Sequence, residues 1–152
     1  LLVAWLREDP DVARLLAQLA VDLAGLEEAD FDVMRAESHG IQRVEALCEE
    51  MAAHPDKAGC AKLIFNLIER LDDAYLGTPG LPGLLVHTLE DWPGIYEPLL
   101  AESVRRHPTP LTTLMVQRII RAKPPDVSAW RAALAEIEAH PEASDLTKQY
   151  IR

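Results

Sequence analysis

Aromatic residues are scarce in this 152-residue chain, at 5%. The β-branched and aromatic runs that mark strands are missing with them, which argues against a sheet. Only two cysteines are present, Cys48 and Cys60. That is not the density of a disulfide-stapled secreted scaffold. Both lie among apolar residues and read as small buried hydrophobes. No apolar run approaches the roughly 20 residues of a membrane span. The opening apolar stretch, residues 1–6, is too short for a signal peptide and lacks its basic flank. An opening on Leu rather than Met suggests that a little of the N-terminus is missing. The expected location is the cytoplasm.

Catalytic signatures are lacking too. There is no Gly-rich phosphate loop, no HExxH and no Gly-x-Ser-x-Gly elbow. The Gly/Pro-rich stretch 77–83 has neither the Lys nor the hydroxyl that phosphate binding needs. Neighbouring carboxylates occur at Glu27-Glu28, Glu49-Glu50, Asp72-Asp73 and Glu90-Asp91. Adjacent residues on a helix point about 100° apart, so none forms a preset acid–base pair. Cys48, His54 and Cys60 have the wrong spacing for zinc and no evident fourth ligand. The expectation is a protein without catalysis, metal or cofactor, with a helical enzyme or metal-binding domain as the remote alternative.

What the chain does contain is helix-forming. Hydrophobic residues make up 49% of it, much of that Leu and Ala. Proline-containing breaks divide the sequence into amphipathic segments. Asp9-Pro10 reads as cap plus first-turn proline. Val12, Leu15, Leu16, Leu19, Leu23 and Leu26 follow at helical spacing. A short helix is predicted within 27–37, around Phe31 and Met34. Ser38 is a candidate cap for the stripe Ile41, Val44, Leu47, Cys48 and Met51. Asp56 is the cap expected for a helix bearing Ala61, Ile64, Phe65, Ile68, Leu71 and Tyr75. Leu63 and Leu67 widen its apolar arc, so it should be central and covered by neighbours.

Helices over 84–91 and 95–106 are expected next. Thr109-Pro110 then opens the wide apolar stripe Leu111 to Ile120. Asp126 should cap Val127, Trp130, Leu134 and Ile137, and Ser144 or Asp145 should start a last segment.

Three turns echo one another, at His54-Pro55, His107-Pro108 and His140-Pro141. Proline stops a helix, and a histidine near its last carbonyls suits the negative helix end. Short breaks between amphipathic helices make antiparallel hairpins. Their recurrence points to an all-α fold, either an irregular α-solenoid of HEAT-like hairpins or a compact helical bundle. Residues 1–152 read as a single helical domain, with sub-units 1–76 and 84–152 joined by the loop 77–83.

The formal charge is −10. Residues 1–76 carry 16 acidic and 7 basic side chains, and residues 77–152 carry 9 and 8. Acidity so distributed opposes nucleic acid and anionic membranes and suits a basic protein. The residues assigned to partner binding are Glu27, Glu28, Asp30, Asp32, Glu49, Asp72 and Asp73, as an acidic face. Trp92 and Tyr96 join them as anchors, because interfaces favour Trp and Tyr. The competing reading is a merely solvated face, with the two rings plugging the gap beneath the Gly/Pro loop.

The stretch 95–122 carries a resemblance. A helix over 95–106, the turn His107-Pro108-Thr109-Pro110 and an apolar helix over 111–122 make the chain resemble small helical immunity proteins of bacterial polymorphic-toxin and contact-dependent inhibition systems. The resemblance implies a cytosolic protein that binds and neutralises a cognate toxin, often a nuclease. A helical scaffold or adaptor domain is the alternative.

Overall fold

The computed structural model describes residues 10–27, 30, 40–71 and 82–151. Among them lie eight helices and no strand, so the chain is all-α. They are α1 (Pro10–Ala24), α2 (Gly40–Ala53), α3 (Lys57–Leu71), α4 (Pro82–Glu90), α5 (Tyr96–Arg106), α6 (Pro110–Arg121), α7 (Val127–Ala139) and α8 (Asp145–Gln149). None is long and apolar enough to cross a membrane. The expected helix around Phe31 and Met34, the caps Asp9 and Ser38, and most of the 77–83 loop lie outside the described residues.

Helix α3 is the hub. Cys60, Ala61, Ile64, Phe65, Leu67, Ile68 and Leu71 are all buried along it. An arc that wide cannot be covered by one neighbour, and α3 contacts α1, α2, α4 and α5. Full burial of each large apolar side chain contributes about 1.5–3 kcal/mol. Asp56 caps α3 as the sequence predicts, its carboxylate accepting the Gly59 N–H at 2.8 Å. Gly59 admits a close approach there. A Cβ at this position would lie 2.5 Å from the Asp56 carboxylate and 3.0 Å from Leu16 of α1.

The remaining helices follow a regular contact scheme. α1 contacts α3, α3 contacts α5, and α5 contacts α7. α2 contacts α4, and α6 contacts both α7 and α8. Thr109 and Thr112 form a reciprocal capping box at the start of α6, with Pro110 in its first turn. α6 ends at Ala122, and Lys123 turns the chain out with a left-handed φ of 53° ahead of Pro124. Ser144 caps α8 by accepting the Thr147 N–H at 3.1 Å.

Asp126 departs from expectation. It occupies the N-cap of α7 but makes no side-chain cap bond. Its carboxylate instead accepts the Trp130 indole N–H at 3.2 Å. A buried indole N–H needs an acceptor, and four residues along a helix is within reach.

Among the described residues three buried side-chain atoms have no hydrogen-bond partner: His54 Nε2, Glu97 Oε1 and Thr113 Oγ1. Thr113 is fully buried in α6 and its hydroxyl makes no hydrogen bond. Thr113→Val replaces that hydroxyl by a methyl of similar size. We expect stabilisation by about 1 kcal/mol in urea-induced unfolding. Unchanged or reduced stability would show that the hydroxyl is satisfied in solution.

Candidate interaction face

Of the acidic residues singled out above, Glu27, Asp30 and Glu49 are described, at and beyond the end of α1 and on α2. Glu27 follows the end of α1 and is exposed. Asp30 closes a small loop with it: Asp30 Oδ2 accepts the Glu27 N–H at 2.8 Å, and the Asp30 N–H donates to the Glu27 carbonyl at 2.9 Å. Arg43 of α2 approaches Asp30 Oδ1 at 3.7 Å. Glu49 is exposed on α2, with Glu45 and Glu50 exposed beside it. Glu28, Asp32, Asp72 and Asp73 lie outside the described residues.

The pairing of charges on this side is lopsided. Arg43 faces Asp30, while Lys57 donates to the carbonyls of Met51, Ala52 and His54 at the end of α2. Arg70 of α3 donates to the carbonyls of Leu23 and Leu26 at the end of α1, at 3.2 and 2.6 Å. Basic side chains at helix C-termini answer the negative end of the dipole and its unbonded carbonyls. These three cations are thus held by structural contacts. Among the described residues no cation pairs with Glu45, Glu49 or Glu50. Their repulsion is left for solvent or a partner to screen.

Between α1 and α2 runs a groove of about 470 Å³, lined by Val21, Asp22, Gly25, Arg43, Ala46, Leu47 and Glu50. Val21 is 66% exposed and is the one large hydrophobic exposed among the described residues. An apolar centre with a charged rim is the layout of a protein interface. The sequence held the signal for Val21. It falls off the stripe of Leu16, Leu19, Leu23 and Leu26, so helical periodicity alone puts an apolar side chain on the polar face of α1.

The two aromatic residues sit elsewhere. Trp92 is 7% exposed and Tyr96 is 8% exposed, both within the core cluster. The Lys57 ammonium lies 5.7 Å from the centroid of the Trp92 ring. Burial, then the nearby Glu97 and Glu90 carboxylates, push the Tyr96 phenol above its ordinary range.

The His-Pro turns are structural, but they are not three copies of one unit. His54 Nδ1 accepts the Asp56 N–H at 3.0 Å, and His140 Nδ1 accepts the Glu142 N–H at 3.1 Å. Each therefore locks its own turn with a neutral ring nitrogen. His140 also donates from Nε2 to the Arg105 carbonyl, 2.9 Å away at the end of α5. His107 Nδ1 lies 3.4 Å from Glu142 Oε2, so the second and third turns adjoin. The first is different: three helix steps separate His54 from His107, and two separate His107 from His140. The three turns are therefore unevenly spaced along the helix order.

Cys48 and Cys60 are free and buried. Among the described residues no group of three or more His, Cys, Asp or Glu is placed to hold a metal ion. Burial, with Asp56 adding to it against Lys57, pushes the Cys60 thiol up to about 11. Below pH 9 the thiol is protonated in both the folded and the unfolded chain. Above it the unfolded chain releases the proton while the folded chain keeps it. Stability should therefore fall from about pH 9 to 11. The fall should be smaller in Cys60→Ala than in the parent, read as melting temperature against pH. Parallel curves for the two proteins would remove this account of Cys60.

A comparison of the chain with protein-family models, curated proteins and solved structures finds no match.

Proposed function

We propose that this chain is a protein-binding inhibitor of the immunity type, which neutralises a cognate bacterial toxin by laying its acidic α1–α2 side over the toxin's basic active site. It acts without catalysis of its own, in the cytoplasm, on a protein rather than a nucleic acid or membrane. The contact scheme of alternate helices supports an irregular α-solenoid of stacked hairpins as its scaffold.

The observation that carries the reading is the coexistence on one side of unpaired carboxylates and an exposed apolar centre. Glu45, Glu49 and Glu50 stand without cations beside the groove that holds Val21. A solvated face alone leaves Val21 without a role. A basic toxin surface meets both features. Long-range attraction speeds encounter, and apolar contact then slows dissociation. Steering of this kind acts mainly on the association rate and weakens with salt.

The test is capture of the partner from the native host, identified by mass, followed by surface plasmon resonance with the purified partner. We expect a stable complex that loses toxin activity. Glu45→Lys with Glu49→Lys and Glu50→Lys should slow association by about tenfold or more at low salt. Val21→Asp should instead speed dissociation. Failure to bind or protect against such a toxin would defeat the proposal. Recovery from the native host of a regulator or enzyme complex in its place would favour the adaptor reading.

A further inference from the structure

A second concave region lies on the opposite half of the molecule, where α5 and α7 run side by side. One cavity of about 330 Å³ opens between these helices over Pro98, Ala101 and Ala133. A neighbouring cavity of about 340 Å³ opens toward α6, beside Arg118 and Ile119. Glu97, Asp126 and Trp130 line both.

The charges around this junction are unevenly matched. Arg118 is held by Glu90 in a two-point ion pair at 3.1 and 3.0 Å. Arg105, at the far end of the first cavity, approaches Glu136 at 4.0 Å. Glu97 and Asp126 have no cation among the described residues. Each has one oxygen engaged: Glu97 Oε2 accepts the Gly94 N–H at 2.7 Å, and Asp126 Oδ2 accepts the Trp130 indole N–H at 3.2 Å. Glu97 Oε1 is buried and has no hydrogen-bond partner at all. An unpartnered carboxylate oxygen is costly, and Glu97 lines both cavities.

From these observations we propose that the junction of the two cavities is a receptor for one arginine side chain of a protein partner. The aliphatic stem lies along Pro98, Ala101 and Ala133. The guanidinium sits against the Trp130 indole and donates to the free oxygens of Glu97 and Asp126. Arginine fits better than lysine, because a planar group with five donors can meet two separate carboxylates and stack on an aromatic ring. This inference does not depend on the α1–α2 face, which is built from other helices.

Titration of the ¹⁵N-labelled protein with N-acetyl-arginine amide tests it directly, with N-acetyl-citrulline amide as the neutral control of the same shape. The arginine derivative should shift the Trp130 indole signal and the amides of residues 94–101 and 126–133 in a saturable way. The α1–α2 amides should stay in place, and citrulline should have little effect. Glu97→Gln with Asp126→Asn keeps acceptors for Gly94 and Trp130. The double variant should weaken binding by about tenfold or more, loss of two charge-assisted bonds. No saturable shift, an equal response to citrulline, shifts confined to α1–α2, or undiminished binding by a folded double variant would each overturn the site. The citrulline comparison on the parent protein stands even if the double variant misfolds.

Discussion

Helix α3 has more apolar surface than one partner can cover, and the rest of the described structure is arranged by that requirement. Ile64, Phe65 and Ile68 are at most 1% exposed. Burying them takes α1, α2, α4 and α5 together. Because the hydrophobic effect is non-directional, it fixes that α3 is surrounded but not how each neighbour is oriented. Orientation comes from polar locks at helix ends: Asp56 at the start of α3, Arg70 onto the end of α1, and Lys57 onto the end of α2. Glu69 of α3 extends the same logic across to α5, where it meets Arg106 in a two-point pair at 2.8 and 2.6 Å and accepts the Ser103 hydroxyl at 3.1 Å.

These locks place Lys57 and Arg70 at helix ends, away from pairing with the exposed glutamates of α2. Arg43 sits at a single carboxylate, while Glu45, Glu49 and Glu50 on α2 are left outward. A net charge read from sequence treats all side chains alike. The fold sorts them, turning the acids into an unscreened patch beside an apolar groove. Exposed ion pairs contribute little to stability in general. The consequence of this sorting therefore falls on encounter with other molecules more than on folding.

Much of the fold was legible because proline, capping residues and apolar periodicity agree along the chain. The Thr109-Pro110 start of α6, the Asp56 cap of α3 and the breadth of α3's apolar arc all follow from local chemistry that tertiary packing leaves intact. Where longer-range contacts compete, local reading fails. Asp126 has the right position for a cap but bonds to Trp130, because burial of the indole ring creates a demand invisible in the sequence. The His-Pro echo is real as turn chemistry at His54 and His140, while the number of helices between successive turns differs. Of the residues assigned to a partner, Glu27, Asp30 and Glu49 were legible as polar positions at and beyond the end of α1 and on α2, whereas the groove around Val21 depends on how α1 meets α2. The buried positions of Trp92 and Tyr96 likewise follow from packing between helices, which a turn-like context such as Trp92-Pro93-Gly94 does not disclose.

The same polar locks bear on how a face of this kind could bind tightly. A helix end left open frays, and a frayed partner surface must be ordered during association at a cost in entropy. Here α1 ends under the guanidinium of Arg70, and α2 ends under the ammonium of Lys57. Both helices bordering the Val21 groove are thus fixed at their C-terminal ends. His140 does the same for α5 from the end of α7, using a neutral imidazole where the other two use cations. A groove whose walls are fixed before contact needs little ordering when a partner arrives, so even a modest apolar centre can be translated into affinity. In the proposed inhibitor, the outward carboxylates would serve capture and the helix ends fixed beneath them would serve retention.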